Sequence, residues 1–194
     1  KTLLVATFEN NFENRKVDFL SMQSFRDMSA PEKVFVTTAK GVIEKPMSDI
    51  WMASPARRAY NGCGIYPQND QPQNVLNIWD GWAVEPNPEA TCERYMFHLR
   101  DTICNGDMSI YTWILDWMAD CVQDSRHIKG CCIVLRGVEG CGKGMFADTF
   151  GRLFGNHYSH LIDSERLTGK FNSYLSDSIV IYADAVLWPG DRKQ

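Results

Sequence analysis

The sequence predicts an α/β fold with a parallel sheet, and three observations lead to this prediction. An apolar run at 131–135 is followed at once by a glycine-rich loop, and the loop is followed by an amphipathic stretch. A second apolar run, at 178–183, ends in the acid Asp184. Strands that alternate with a helix in this order usually pair in parallel, with both faces of the sheet covered.

The glycine-rich loop carries the main chemical signal of the chain. Gly137, Gly142 and Lys143 fit the spacing G-x-x-x-x-G-K of a phosphate-binding P-loop. Glycines let the backbone turn its N–H groups around an anion, and the following helix adds its partial positive charge. The alternative is a glycine turn without a ligand. The predicted nucleotide-binding residues are Gly137, Val138, Glu139, Gly140, Cys141, Gly142, Lys143 and Gly144.

Asp184 is the candidate metal ligand. A buried strand that ends in an acid, tens of residues after a P-loop, is the Walker B pattern, in which the acid helps to hold Mg²⁺. The alternative is an acid that caps the next turn. The loop departs from its motif, since Gly144 stands where a Ser or Thr hydroxyl normally binds Mg²⁺. The expected ligands are ATP and Mg²⁺, with one metal ligand fewer than usual.

Three regions are expected along the chain: a small mixed α+β region at 1–72, a two-helix region at 73–128 and the nucleotide-binding core at 129–194. The first region alternates β-rich runs at 3–8, 17–20, 34–38 and 42–43 with short helices at 24–28 and 48–53. A brief strand is predicted at 75–79, and a strand at 157–162 should follow the loop and its helix.

The helices of the second and third regions are predicted from capping residues and periodicity. One should begin at Asn87, before Pro88, and another near Asp107. The apolar stripe of the latter is typical of a core-facing side, and it comprises Tyr111, Ile114, Leu115, Met118, Cys121 and Val122. The buried side of the helix after the loop should comprise Met145, Phe146, Phe150, Leu153 and Phe154.

Composition limits the possible partners. The formal net charge of −4 gives no basic signature, so any contact with DNA must come from a local patch. Seven cysteines without a C-x-x-C pair indicate free thiols, with Cys131 and Cys132 in a buried strand. No apolar run approaches the roughly 20 residues that span a bilayer. Because the chain begins with Lys1, we expect it to be a piece of a longer protein.

Two polar pairs leave alternatives open. Arg57 and Arg58 are either a solvated or salt-bridged helix end, or a contact to phosphate or to the DNA backbone. His157 and His160 are interpreted as surface-loop residues rather than metal ligands, because no nearby Cys or acidic pair completes a zinc site.

Beyond these motifs, the chain resembles the helicase domain of phage and plasmid primase-polymerases, which is related to superfamily 3 helicases and the poxvirus primase-helicase. The similar stretches are ARRAY at 56–60, NIWDGWAVEP at 77–86, LDWMA at 115–119, the P-loop, LTGKFN at 167–172 and ADAVLWPGDRK at 183–193. The last is the most specific, since W-x-G-D-R-K after a Walker B acid is distinctive of this family.

The resemblance implies an AAA+-like core preceded by a helical collar. Such a module forms a ring, hexameric in expectation, and couples ATP to movement on DNA in the cytoplasm of the infected host cell, without a membrane. It also implies a primase-polymerase domain ahead of Lys1, and a strand, DNA loops and an arginine finger beyond Gln194. Arg192 and Lys193 of the last motif are further candidates for contact with phosphate or DNA.

One departure from the family pattern bears on activity. Where the family has the catalytic Glu after the Walker B Asp, this chain has Ala185, so no catalytic residue is assigned. Two hypotheses follow: a helicase module that hydrolyses ATP weakly, and a degenerate AAA+-like module in which nucleotide only supports assembly on DNA. A small-molecule kinase, a third P-loop class, fits poorly because no acceptor-substrate lid is visible.

Overall fold

Short hairpins and helices alternate through the first part of the chain. A computed structural model describes residues 3–11, 14–125, 130–162 and 177–184. The chain divides into two compact units, Lys1–Gly62 and Cys63–Gln194. The first contains the antiparallel pair β1 (Leu4–Asn11) and β2 (Asn14–Ser21), helix α1 (Met22–Ser29), the antiparallel pair β3 (Lys33–Thr38) and β4 (Gly41–Pro46), and helix α2 (Met47–Ala53). The β-rich runs predicted at 3–8, 17–20, 34–38 and 42–43 and the short helices predicted at 24–28 and 48–53 fall on these elements.

The second part of the chain carries the remaining helices and the sheet beside the glycine loop. Strands β5 (Gly62–Gly64) and β6 (Val75–Asn77) form a two-stranded sheet. They are followed by α3 (Glu93–Phe97), a π-helical segment (His98–Ile103), α4 (Met108–Gln123), α5 (Lys143–Gly151), a 3₁₀ segment (Arg152–His157), β7 (Tyr158–Leu161) and β8 (Val180–Ala183). The described residues thus form a mixed α/β fold with four two-stranded sheets and five α-helices.

Strands β7 and β8 form the predicted parallel pairing. Tyr158 lies opposite Val180, and Leu161 lies opposite Ala183. The ladder extends past both strand ends, because the N–H of Ile179 donates to the carbonyl of His157 at 2.7 Å and that of Asp184 to the carbonyl of Leu161 at 2.7 Å. Asp184 is therefore fixed at the carboxyl end of β8.

Helix α4 is confirmed as the central core helix of this unit. Asp107 caps it by accepting hydrogen bonds from the N–H groups of Ser109 at 2.8 Å and Ile110 at 3.2 Å. Bonds from the Ser109 hydroxyl and from these N–H groups lower the pKa of Asp107. Every residue of the predicted stripe packs in one of two apolar clusters, which centre on Leu99, Ile114 and Phe146 and on Cys121, Phe150 and Phe154.

The predicted strand at 131–135 is wrong for the described residues. The segment has no regular secondary structure and no ladder partner among them. Ile133 and Leu135 pack against the first cluster, whereas Cys132 and Val134 are exposed. The period-two alternation of a strand is therefore present without strand pairing. Cys131 is also exposed, so the expected burial of both adjacent thiols is wrong.

Two further local predictions differ from the structure. Asn87 does not begin a helix: its side chain accepts from the N–H of Glu89 at 3.0 Å and its carbonyl from Ala90 at 3.2 Å, which closes a turn, and the helix begins at Glu93. Met145, predicted on the buried side of α5, is 52% exposed. Among the described residues, no helix is long and apolar enough to cross a membrane.

Candidate functional site

The glycine loop at 137–142 turns the chain sharply into helix α5. Gly140 and Gly142 have φ angles of 77° and 87°, in the left-handed region that favours glycine. Gly142 is the residue before the helix, and no side chain caps the helix within the described part of the chain. The first N–H groups of any α-helix have no partner inside the helix, and in α5 no side-chain cap from the described residues occupies them. This is the arrangement of an anion-binding helix end.

Lys143 places its ammonium group within the loop. Its Nζ donates to the carbonyl of Val138 at 2.8 Å and to that of Gly137 at 3.1 Å, and lies 3.5 Å from the Sγ of Cys141. These bonds join the two ends of the loop through one cation. The arrangement brings together the motif positions Gly137, Gly142 and Lys143. The positive charge of Lys143 is held by carbonyl oxygens of the loop.

His98 presses against the loop from the first residue of the π-helical segment. Its Nε2 lies 3.1 Å from the carbonyl oxygen of Gly142. A Cβ at position 142 would lie 2.8 Å from the same nitrogen. Position 142 therefore needs glycine for two reasons: its positive φ angle, and the imidazole of His98, which leaves no room for a Cβ. The histidine holds the loop against the helical region.

Strand β8 brings the side chains of Tyr182 and Asp184, two residues apart on one face, beside α5. Burial is the main reason that the pKa of Tyr182 is raised to about 12, and the interaction with the Asp184 carboxylate adds to it. The phenolic oxygen lies 3.4 Å from the point that a Cβ of Gly144 would occupy. Tyr182 thus lies beside the first turn of α5 and next to the candidate metal ligand on the same strand face.

A second polar group lies beside the first, one turn further along α5. The hydroxyl of Tyr158 donates to Asp148 Oδ1 at 2.5 Å, and burial together with this bond raises the pKa of Tyr158. His160 lies between the two carboxylates, with Nδ1 at 3.4 Å from Asp148 and Nε2 at 3.9 Å from Asp184. Within the described residues, no cluster of three or more His, Cys, Asp or Glu side chains is placed to hold a metal ion by itself.

His157 is neither a surface-loop residue nor part of a described metal cluster, so the predicted surface position is wrong. Its ring is 3% exposed and stacks on Trp79, with ring centroids 4.9 Å apart. The Nε2 accepts from the N–H of Asp80 at 3.1 Å, and the Nδ1 donates to the carbonyl of Asp177 at 2.6 Å. These partners require a neutral ring with its proton on Nδ1. His160, by contrast, is exposed, as predicted.

The candidate basic contacts differ in their surroundings. Arg57 is partly buried, with its guanidinium 5.5 Å from the ring centroid of Trp51 and 3.6 Å from the Sδ of Met52. Arg58 is exposed. The remaining sequence predictions at 167–172, Ala185, Arg192 and Lys193 lie outside the described residues.

Comparison with known proteins gives two kinds of similarity. A family of unknown function (DUF5906) matches residues 135–194, which include the glycine loop and β8. The chain is similar to a phage DNA primase-polymerase. The relative, from Nitratiruptor phage NrS-1, is 21% identical over 179 residues, which are 89% of this chain and 23% of the phage protein.

Solved structures of the C-terminal region of the NrS-1 protein have the same fold. One apo structure matches with a TM-score of 0.55 and 17% identity, covering 92% of this chain and 42% of that one. A second apo form matches with a TM-score of 0.53 and 17% identity, over 92% and 43% of the two chains. The chain thus spans less than half of the solved region and about a quarter of the phage protein.

The residues of the site fit a nucleotide phosphate with a bound cation. Lys143 and the start of α5 offer positive charge and N–H donors, while Asp184 and Tyr182 offer oxygen atoms across the first helical turn. Sequence reasoning missed Tyr182 and His98. A signal for Tyr182 was present, since residues two apart on a strand share a face, so Tyr182 should accompany Asp184. No local pattern points to His98.

Proposed function

We propose that this chain is the nucleotide-binding, helicase-like module of a phage DNA replication protein and that it binds ATP with Mg²⁺ at 137–144. The observation that supports this most is the position of Lys143, whose ammonium lies inside a glycine loop at the start of α5. In a P-loop this lysine reaches the outer phosphates, so the bonds to the carbonyls of Gly137 and Val138 would be exchanged for bonds to phosphate oxygens.

The same arrangement supports a role for each neighbouring group. The N–H groups of the loop and of the first helical turn would face the phosphates. Asp184 would hold Mg²⁺, directly or through water, since Mg²⁺ usually keeps several waters and binds through one or two carboxylates. The bound metal would balance the phosphate charge. His98 would keep the loop in its binding shape through its contact with Gly142.

The proposal for the whole assembly rests on the similarity to the phage primase-polymerase. In this proposal, the core is AAA+-like and related to superfamily 3, and the helices before the core form a collar. Copies of the module form a ring, six in expectation, around DNA in the cytoplasm of the infected cell. A primase-polymerase domain in the same protein supplies the synthetic chemistry.

A second candidate function is favoured by Ala185, which stands at the position of the usual catalytic Glu. A positioned general base typically contributes about 10²–10⁴-fold to a rate. Without it, nucleotide would stabilise assembly on DNA rather than drive movement. ATP turnover in the presence of single-stranded DNA separates the two functions, and turnover that Lys143→Ala abolishes would reject the second candidate.

Nucleotide binding by the chain tests the proposal directly. Lys143→Ala removes a charged hydrogen-bond donor to phosphate, a loss of about 1.5–3 kcal/mol, so affinity for ATP should fall roughly 10- to 100-fold. Calorimetric titration with ATP and Mg²⁺ measures it. Lys40→Ala, in the exposed turn after β3, is the matched control and should bind like the unaltered chain. Equal affinity of the two variants would reject the site.

A further inference from the structure

The P-loop helix has an open place beside its second residue, and an oxygen atom from another element faces it. Gly144 lacks the hydroxyl that the motif normally supplies to Mg²⁺. The hydroxyl of Tyr182 lies 3.4 Å from the point that a Cβ of Gly144 would occupy, and among the described residues no other atom outside the helix's own backbone and the adjacent residues lies within 4 Å of that point. A serine oxygen would extend one bond beyond this Cβ, into the same neighbourhood.

Tyr182 is positioned by the sheet. It lies opposite His160 in the parallel register, and the two rings pack with their centroids 4.6 Å apart. Asp184 is the next residue on the same face of β8. The phenolic oxygen thus lies beside the first turn of α5, and the Tyr182 side chain shares a face of the strand with the carboxylate proposed to hold Mg²⁺.

Tyr158 shows what a purely structural tyrosine does in the same setting. It comes from the neighbouring strand β7, and its hydroxyl donates to a carboxylate, that of Asp148. Its ring, however, packs at Gly151, at the far end of α5 from the glycine loop. The two tyrosines share chemistry and differ in position, which makes Tyr158 a matched control.

We propose that Tyr182 is a positioning residue that replaces the missing P-loop hydroxyl. Its oxygen takes part in the hydration or coordination of nucleotide-bound Mg²⁺ and orients Asp184 toward it. The hydroxyl thus arrives from the Walker B strand instead of from the loop. This inference rests on the proposed nucleotide site and adds a prediction for the metal dependence of that site.

The test compares ATP affinity with Mg²⁺ and with EDTA for the same variants. In the unaltered chain, Mg²⁺ should tighten ATP binding. Tyr182→Phe should reduce this tightening roughly tenfold, as loss of an outer partner of a metal typically does, and leave the affinity in EDTA unchanged. Tyr158→Phe should leave the ratio of the two affinities as it is.

A second substitution tests whether the hydroxyl group itself is responsible for the effect of Mg²⁺. Adding Gly144→Ser to Tyr182→Phe returns a hydroxyl to the loop, and the ratio should recover. The proposal is contradicted if Mg²⁺ tightens ATP binding by the double variant as little as it does for Tyr182→Phe. It is also contradicted if Tyr182→Phe loses the same ATP affinity in Mg²⁺ as in EDTA. If the unaltered chain binds ATP equally well in EDTA, only this inference fails. If it binds no ATP at all, the proposed function fails with it.

Discussion

At the scale of single residues, His157 joins three segments through one neutral imidazole. It binds the loop at Asp80 and the stretch at Asp177 that leads into β8, and it stacks on Trp79. Its bonds reach partners 77 and 20 residues away in the chain. A local pattern cannot contain such partners, which is why the sequence alone favours a surface position for this histidine.

Replacing His157 should therefore cost stability through unpaired backbone groups. His157→Phe keeps an aromatic ring against Trp79 but leaves the N–H of Asp80 and the carbonyl of Asp177 without this partner. Both bonds are only part-buried, so at about 0.5–1.5 kcal/mol for each lost hydrogen bond the free energy of unfolding should fall by about 1–3 kcal/mol. Urea unfolding followed by tryptophan fluorescence measures it. The exposed His160→Gln serves as control, and equal midpoints for both variants would show that the two bonds carry little stability.

At the scale of elements, α5 carries glycines with opposite requirements at its two ends. Among the described residues outside the helix itself, a Cβ at Gly144 would meet only the Tyr182 hydroxyl, at 3.4 Å, an ordinary contact. Gly151 lies against the ring of Tyr158, whose Cζ is 2.7 Å from the point that a Cβ would occupy. Helix propensity favours alanine at both positions, so sterics alone should separate the two substitutions.

Gly144→Ala should leave stability unchanged or raise it by up to about 1 kcal/mol. Gly151→Ala should lower it by about 1–3 kcal/mol, because the ring of Tyr158 must move and its bond to Asp148 is disturbed. Thermal unfolding of the two variants side by side checks the difference. An increase in stability for Gly151→Ala would mean that β7 adjusts to the added methyl group without strain.

The elements also show where sequence reasoning succeeds. The stripe of α4 was predictable residue by residue, since a long helix with one buried side imposes a period that few other structures share. A parallel sheet was predicted from the strand–helix–strand order, and β7 and β8 do pair in parallel, although the first strand of that order, at 131–135, has no ladder partner among the described residues. The segment at 131–135 has a strand-like alternation, but pairing depends on a neighbour that the segment itself does not encode. Asn87 carries a capping signal that is equally suited to a turn.

At the scale of the whole chain, charge is divided unevenly between the two units. Lys1–Gly62 has nine basic and seven acidic residues, a formal charge of +2, whereas Cys63–Gln194 has eleven against seventeen, a charge of −6. Because DNA repels net negative surfaces, the proposed contact with its backbone is favoured at basic patches of the first unit. Arg57 and Arg58 are the paired basic residues there, and the structure gives them different surroundings.

Their alanine variants should therefore have different effects. Arg58 is exposed, so Arg58→Ala should reduce the slope of log affinity for single-stranded DNA against log salt by about 0.7, the value of one phosphate contact. Arg57 packs on Trp51, so Arg57→Ala should instead lower the stability of the first unit by about 0.5–1 kcal/mol and leave the slope unchanged. Fluorescence anisotropy at several salt concentrations measures the slopes. An unchanged slope for Arg58→Ala would exclude that residue from the DNA contact, and a change for Arg57→Ala alone would mean that the partly buried guanidinium reaches phosphate.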